Sequence, residues 1–154
     1  MNFFLSLLGS GYCRPCSGTV ASVVSIIILW LLDYNLSLAV GYKLLVWAII
    51  FIILYLLSLK FIAQATNSHD SDPSWIVIDE FLGMMVAYLP LLFLPYTWWH
   101  LVFLVILFRF FDIVKPWGIK QIDNQHSAWS VIVDDLIAGV YAAILLWLII
   151  IFIY

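Results

Sequence analysis

The chain has 154 residues, of which 66% are hydrophobic and only 10% charged, where an ordinary soluble domain carries about 25% charged residues. A soluble domain of this length has too little interior for so much apolar side chain, and 18% aromatic residues with 8 Trp suit the edges of a bilayer. A net charge of −3 with only 6 Lys and Arg excludes a basic nucleic-acid binder, and 2 cysteines make no disulfide framework. The expectation is an all-α, polytopic membrane helical bundle occupying residues 1–154 as one domain.

A helix needs about 20 largely apolar residues to cross a bilayer core. The amino-terminal stretch Met1 to Leu8 is apolar but lacks a basic start, and reads as mature protein. The first predicted span runs from Pro15 to Leu32 and stops at the polar Asp33, Tyr34 and Asn35. The second, Leu38 to Leu59, carries only Lys43, near enough to its start for the ammonium to reach the interface. Phe81 to Phe108 is uncharged but interrupted by Pro90 and Pro95, with Tyr96, Trp98 and Trp99 beside them. Proline breaks the helical ladder, so this run divides into a third helix ending near Leu94 and a fourth from about Thr97 to Lys115, closed by Pro116. The fifth is Leu136 to Tyr154.

With five crossings and a cytoplasmic amino terminus, Arg14, Lys60, Arg109, Lys115 and Lys120 lie inside and only Lys43 outside, as the positive-inside rule requires. The acids follow the same division. Asp70, Asp72, Asp79, Glu80, Asp112, Asp123, Asp134 and Asp135 gather on the inner face, leaving only Asp33 elsewhere.

Acids at helix starts favour the macrodipole, and that alone accounts for any single one of them. Eight on one face repel each other and call for compensation. Asp79 and Glu80 head the third helix, and Asp134 and Asp135 head the fifth, each pair with a glycine one turn on, Gly83 and Gly139. Small residues let membrane helices approach closely, so the pairs can meet. Adjacent helical residues diverge by about 100°, so one member of each pair is expected to bind a metal and the other to cap or support it. Asp79, Glu80, Asp134 and Asp135 are the candidate metal residues, and Asp112 a ligand or base. Spacing of three places Arg109, Asp112 and Lys115 along one side of the fourth helix, as an ion-paired trio or as a phosphate-facing set. An all-oxygen donor set favours a hard cation such as Mg²⁺ over zinc. Glycine-rich segments, Gly9 to Gly11 and Ser17 to Thr19, precede the first span, where backbone amides could cradle an anion. Cys13 and Cys16 have metal-type spacing but lack a second pair, and His69 is a loop histidine that could act as a general acid.

These residues sit in motifs that resemble the phosphatidylglycerophosphatase A family over essentially the whole chain. The motifs are GSGYCRPCSGTVAS from Gly9 to Ser22, His69 with Asp70, IVIDEFLG from Ile76 to Gly83, FRFFDIVKPW from Phe108 to Trp117, Asp123, and VDDLIAGVYA from Val133 to Ala142. Ser17, Gly118 and Ser127 to Trp129 depart from the family pattern, in loops rather than among the acids. The resemblance implies a Mg²⁺-dependent lipid phosphatase of the bacterial inner membrane, its site facing the cytoplasm, that converts phosphatidylglycerophosphate to phosphatidylglycerol and phosphate. On that reading Asp79, Asp112, Lys115 and Asp134 carry the chemistry. Arg109, Lys115 and Thr19 would bind the substrate phosphate, and the acyl chains would stay in the bilayer beside the third to fifth helices.

Other phosphatase chemistries lack their residues. No Arg stands six positions after either cysteine, and Asp70 to Ser74 resembles an aspartyl-phosphate loop without the parallel sheet that such a loop needs. The competing class is a small cation transporter or channel with an acidic mouth. Such a path places acids through the membrane depth, whereas these lie at one face. A non-catalytic assembly subunit would explain the hydrophobicity but not the acids.

Overall fold

The computed structural model describes residues 2–13, 16–36, 38–65, 73–116 and 128–153. Arg14, His69, Asp70, Asp72, Lys120 and Asp123 lie outside them. The described residues form an all-helical bundle: α1 (Asn2–Leu5), α2 (Ser17–Asn35), α3 (Val40–Ala65), α4 (Ile78–Ala87), α5 (Trp98–Val114) and α6 (Ala128–Ile153), with short 3₁₀ turns at Ser10–Tyr12 and Leu89–Leu92.

Among the described residues, three helices are long and apolar enough to cross a membrane: Ser17–Asn35, Val40–Ala65 and, within α6, Trp129–Phe152. The chain is thus a membrane protein, with fewer full-length spans than the five expected. At 17 residues, α5 rises only about 25 Å. The largest departure is α4, which has 10 residues and rises about 15 Å, half the hydrocarbon thickness. Its end comes before Pro90, whose ring would collide with the Val86 carbonyl and which has no N–H to give. The chain leaves through the 3₁₀ turn Leu89–Leu92 instead of continuing helically to Leu94. A broken segment is tolerated at membrane depth because protein surrounds it: eight of its ten residues are buried. α4 is therefore the central element, packed most extensively against α6 and next against α2.

The α4–α6 contact is made at backbone distance. A Cβ on Gly83 would lie 2.6 Å from the Asp135 carbonyl oxygen and 2.7 Å from Phe108 Cε2, and one on Gly139 would strike the Gly83 carbonyl. The close approach expected of the two glycines is present, and it sets the two acidic pairs side by side.

Two boundaries shift with consequences for the acids. The fifth apolar run starts at Leu136, but α6 begins eight residues earlier, because Val131 and Ile132 are already buried apolar residues and two inward acids do not stop a helix. Asp134 and Asp135 consequently lie in its second turn, not at its head. At the opposite end, α2 continues through Asn35, and Asp33 is buried rather than in a polar turn. Lys43 Nζ meets its Oδ1 at 2.6 Å, an ion pair in which the lysine stays partly exposed. Tyr96 donates to Asp33 Oδ2 at 2.9 Å.

Candidate active site

The start of α4 is fixed from the amino-terminal segment. The Val77 N–H donates to the Leu5 carbonyl at 2.9 Å, and Gly11 abuts the Trp75 backbone so closely that a Cβ there would collide with its carbonyl. From this anchored lead, Asp79 and Glu80 enter the first turn of α4, where the helix dipole favours negative charge. The Glu80 N–H donates to Asp79 Oδ1 at 3.1 Å, and the Asp135 N–H to Asp134 Oδ1 at 3.1 Å.

Across the glycine contact, Asp79, Glu80 and Asp135 each present a carboxylate oxygen within 4.8 Å of the other two. The divergence of adjacent helical residues operates on α6: Asp135 joins the group, while Asp134 turns aside and accepts from Lys115 Nζ at 2.8 Å. On α4 both acids reach the same point, the extra methylene of Glu80 making up for the rotation.

The cations come from the end of α5. Arg109 Nη1 lies 2.6 Å from Asp112 Oδ2 and 3.8 Å from Glu80 Oε1. The short contact is an ion pair, and Arg109 Nη1 and Nε are buried without a hydrogen-bond acceptor among the described residues. Lys115 caps α5 in the left-handed region at φ 44°, ψ 60°, a conformation costing a non-glycine residue about 1–2 kcal/mol. Its ammonium ends on the Asp134 side of the site.

The amino end of α2 closes the fourth side. Ser17, Gly18 and Thr19 form its first turn, and Cys16 gives no side-chain cap, so the opening amides have no acceptor within the helix. Gly18 is required here by space: a Cβ would sit 2.6 Å from Glu80 Oε1 and 2.7 Å from Arg109 Nη1. These elements surround a cavity of about 340 Å³ that is lined by Thr19, Asp79, Glu80, Arg109, Asp112, Lys115, Asp134 and Asp135 together.

Electrostatically the cavity is an acid cluster with two cations at its edge. Burial, opposed by the Asp79 hydrogen bond and the Arg109 charge and aided by the Asp112 charge, leaves the Glu80 carboxyl raised from its ordinary range to about 7. Glu80 Oε2 is buried with no hydrogen-bond partner among the described residues. An oxygen-only set that includes an orphaned carboxylate oxygen suits a hard divalent cation.

A family model described as phosphatidylglycerophosphatase A matches residues 3–150. The chain belongs to that family. Membership places it among the lipid phosphomonoesterases. It is 33% identical over 146 residues to phosphatidylglycerophosphatase A of Haemophilus influenzae, covering 90% of this chain and 82% of that protein. To the Escherichia coli protein of the same name it is 34% identical, covering 92% and 78%. A Bacteroides thetaiotaomicron protein, provisionally named a phosphatidylinositol-3-phosphatase, is 33% identical, covering 90% and 86%. No solved structure matches the chain.

Thr19, Asp79, Glu80, Arg109, Asp112, Lys115, Asp134 and Asp135, the residues assigned to phosphate, metal or chemistry from the sequence, line one cavity. Asp134 faces Lys115 rather than the three-carboxylate group, and Asp112 faces Arg109. Gly9 to Gly11 does not line the cavity: Ser10 Oγ bonds to the Ser6 and Leu7 carbonyls, and Gly11 packs on Trp75. Cys13 and Cys16 are free and exposed, and Cys16 stands at the cavity wall. Sequence reasoning missed Ser74 and Ile76 as lining residues and Gly18 as a clearance. A glycine in the first turn of a span, level with the acids, was the available signal for the last.

Proposed function

We propose that the chain hydrolyses the phosphomonoester of phosphatidylglycerophosphate at the cytoplasmic face of the bacterial inner membrane, with Mg²⁺ held by Asp79, Glu80 and Asp135. The observation that carries this is the meeting of three carboxylates, two cations and a helix amino end around one cavity, in a family of lipid phosphatases. When bound, Mg²⁺ would offset the carboxylate charge and act as a Lewis acid toward the phosphate.

The chain's own residues do the rest. Thr19 and the opening amides of α2 receive the phosphate where the helix dipole favours an anion. Arg109 takes up charge on the non-bridging oxygens as water attacks phosphorus in line and the bond to the lipid oxygen breaks. Asp112, held at 2.6 Å from Arg109, and Asp134, held at 2.8 Å from Lys115, keep the two cations aimed at the cavity. Asp79 is buried against Glu80, so its charge serves the cation site rather than water.

The relative named for phosphatidylinositol 3-phosphate motivates a second substrate reading, since any lipid phosphomonoester brings the same dianion to the same groups. Purified full-length protein in detergent should release phosphate from phosphatidylglycerophosphate when Mg²⁺ is present, and at least tenfold more slowly from phosphatidylinositol 3-phosphate. The reverse preference would make the inositol lipid the substrate. No release from either would sink the reading.

A further inference from the structure

We infer that the apolar groove between α2 and α5 holds one acyl chain of the lipid whose phosphate enters the carboxylate cavity, an inference that rests on the lipid phosphatase reading above. The groove has a volume of about 340 Å³, and its walls are apolar throughout. They include Val23, Ile27 and Trp30 of α2 and Trp98, Val102 and Ile106 of α5, all exposed on the bundle surface.

Its register with the site singles it out. Val23 lies four residues beyond Thr19, and Ile106 three before Arg109, so the groove starts about 5–6 Å, one helical turn, from residues that line the cavity. It ends at Trp30 and Trp98, seven and eight residues further along, roughly 11–12 Å deeper. Thus the same two helices that frame the phosphate side of the cavity frame the groove directly beneath it.

Two other apolar depressions lack this register. The one between α3 and α4, at Trp47 and Met85, involves a helix with no residue on the cavity wall. The one between α5 and α6 lies at Phe103 and Leu146, six residues from Arg109 and eleven from Asp135, or about 9 and 16 Å. A glycerol backbone joins phosphate and acyl chain over a short distance, so the chain leaves the cavity where the nearest apolar channel begins. The sequence reading put the chains beside the third to fifth helices; the groove puts one of them against α2.

Because bilayer tails are already apolar, seating a chain here gains packing and orientation rather than hydrophobic transfer. The groove should therefore act on turnover through phosphate placement and show itself as chain-length dependence. Two measurements on the full-length protein in detergent decide it. Phosphatidylglycerophosphate with a photoactivatable group along its acyl chain should crosslink the unmodified protein mainly at residues 23–30 and 98–106. Val102→Trp should lower kcat/KM for the long-chain lipid about tenfold and leave the dioctanoyl lipid within about twofold, a ratio that cancels any loss of folded protein. Crosslinks spread evenly over α3 and α6, or an equal fall for both lipids, would overturn the groove while phosphate release by the parent protein left the lipid phosphatase reading standing. A parent protein that releases no phosphate would overturn that reading, and the groove with it.

Discussion

Gly18 shows how a residue without a side chain shapes the site. Its absent Cβ is the space occupied by Glu80 Oε1 and Arg109 Nη1. Both are ends of flexible side chains, so Gly18→Ala moves them instead of breaking the fold. A displacement on the order of 1 Å costs about 100-fold where positioning matters. We expect Gly18→Ala to lose between about tenfold and 100-fold in kcat/KM with a melting temperature within a few degrees of the parent, measured on phosphatidylglycerophosphate. Full activity would mean that Arg109 and Glu80 need not hold their present places. The residues were legible in the sequence because carboxylates and cations are costly beside a membrane and therefore conspicuous. Their pairing was not: that Asp134 answers to Lys115 while Asp135 faces Asp79 and Glu80 depends on the rotation of α6 about its axis.

At the scale of elements, the α4–α6 contact carries the metal-binding geometry. Gly83 and Gly139 meet backbone to backbone, and a Cβ on Gly139 would strike the Gly83 backbone, which cannot swing away as a side chain does. Gly139→Ala must push the helices apart, at a cost of about 1–3 kcal/mol for overpacking, and it moves Asp135 from Asp79 and Glu80 as well. The expected result is a lower thermal midpoint together with weaker activation by Mg²⁺, in contrast to Gly18→Ala, which spares the midpoint. Unchanged stability in Gly139→Ala would show that the two helices are not in contact. The sequence revealed this contact through the spacing of glycine after each acidic pair. The length of α4 was hidden, because hydropathy sees an unbroken apolar run up to Leu94, whereas Pro90 acts on the helix through a missing N–H and a clash with Val86. Similarly, a hydropathy window ends at a charge, so the start of α6 at Ala128 could not be seen past Asp134 and Asp135.

At the scale of the molecule, charge among the described residues divides by end. Asp33 and Lys43 pair with each other at one end of α2. Asp33 lies fourteen residues from Thr19, about 21 Å along the helix from the carboxylate cavity. Acids at one end, with the buried acid at the other end neutralised by its own lysine, suit a surface-opening site better than an ion path through the bundle. The topology we propose places the cavity end in the cytoplasm, following the positive-inside distribution. A Gln125→Cys variant lacking Cys13 and Cys16 should accordingly react with a membrane-impermeant thiol reagent in inverted vesicles and not in intact cells. Labelling in intact cells would reverse the orientation.

The central claim is that Asp79, Glu80 and Asp135 form the seat of a divalent cation on which lipid phosphate hydrolysis depends. Its most direct test is phosphate release from phosphatidylglycerophosphate by metal-stripped protein titrated with Mg²⁺, with Asp135→Asn in parallel after its folding is verified. The account predicts negligible release in chelator, recovery on adding Mg²⁺, and a loss of about 100-fold or more in Asp135→Asn, the scale of a lost electrostatic or supporting element. Full turnover by protein shown to be metal-free, or a folded Asp135→Asn protein as active as the parent at every Mg²⁺ concentration, would contradict it.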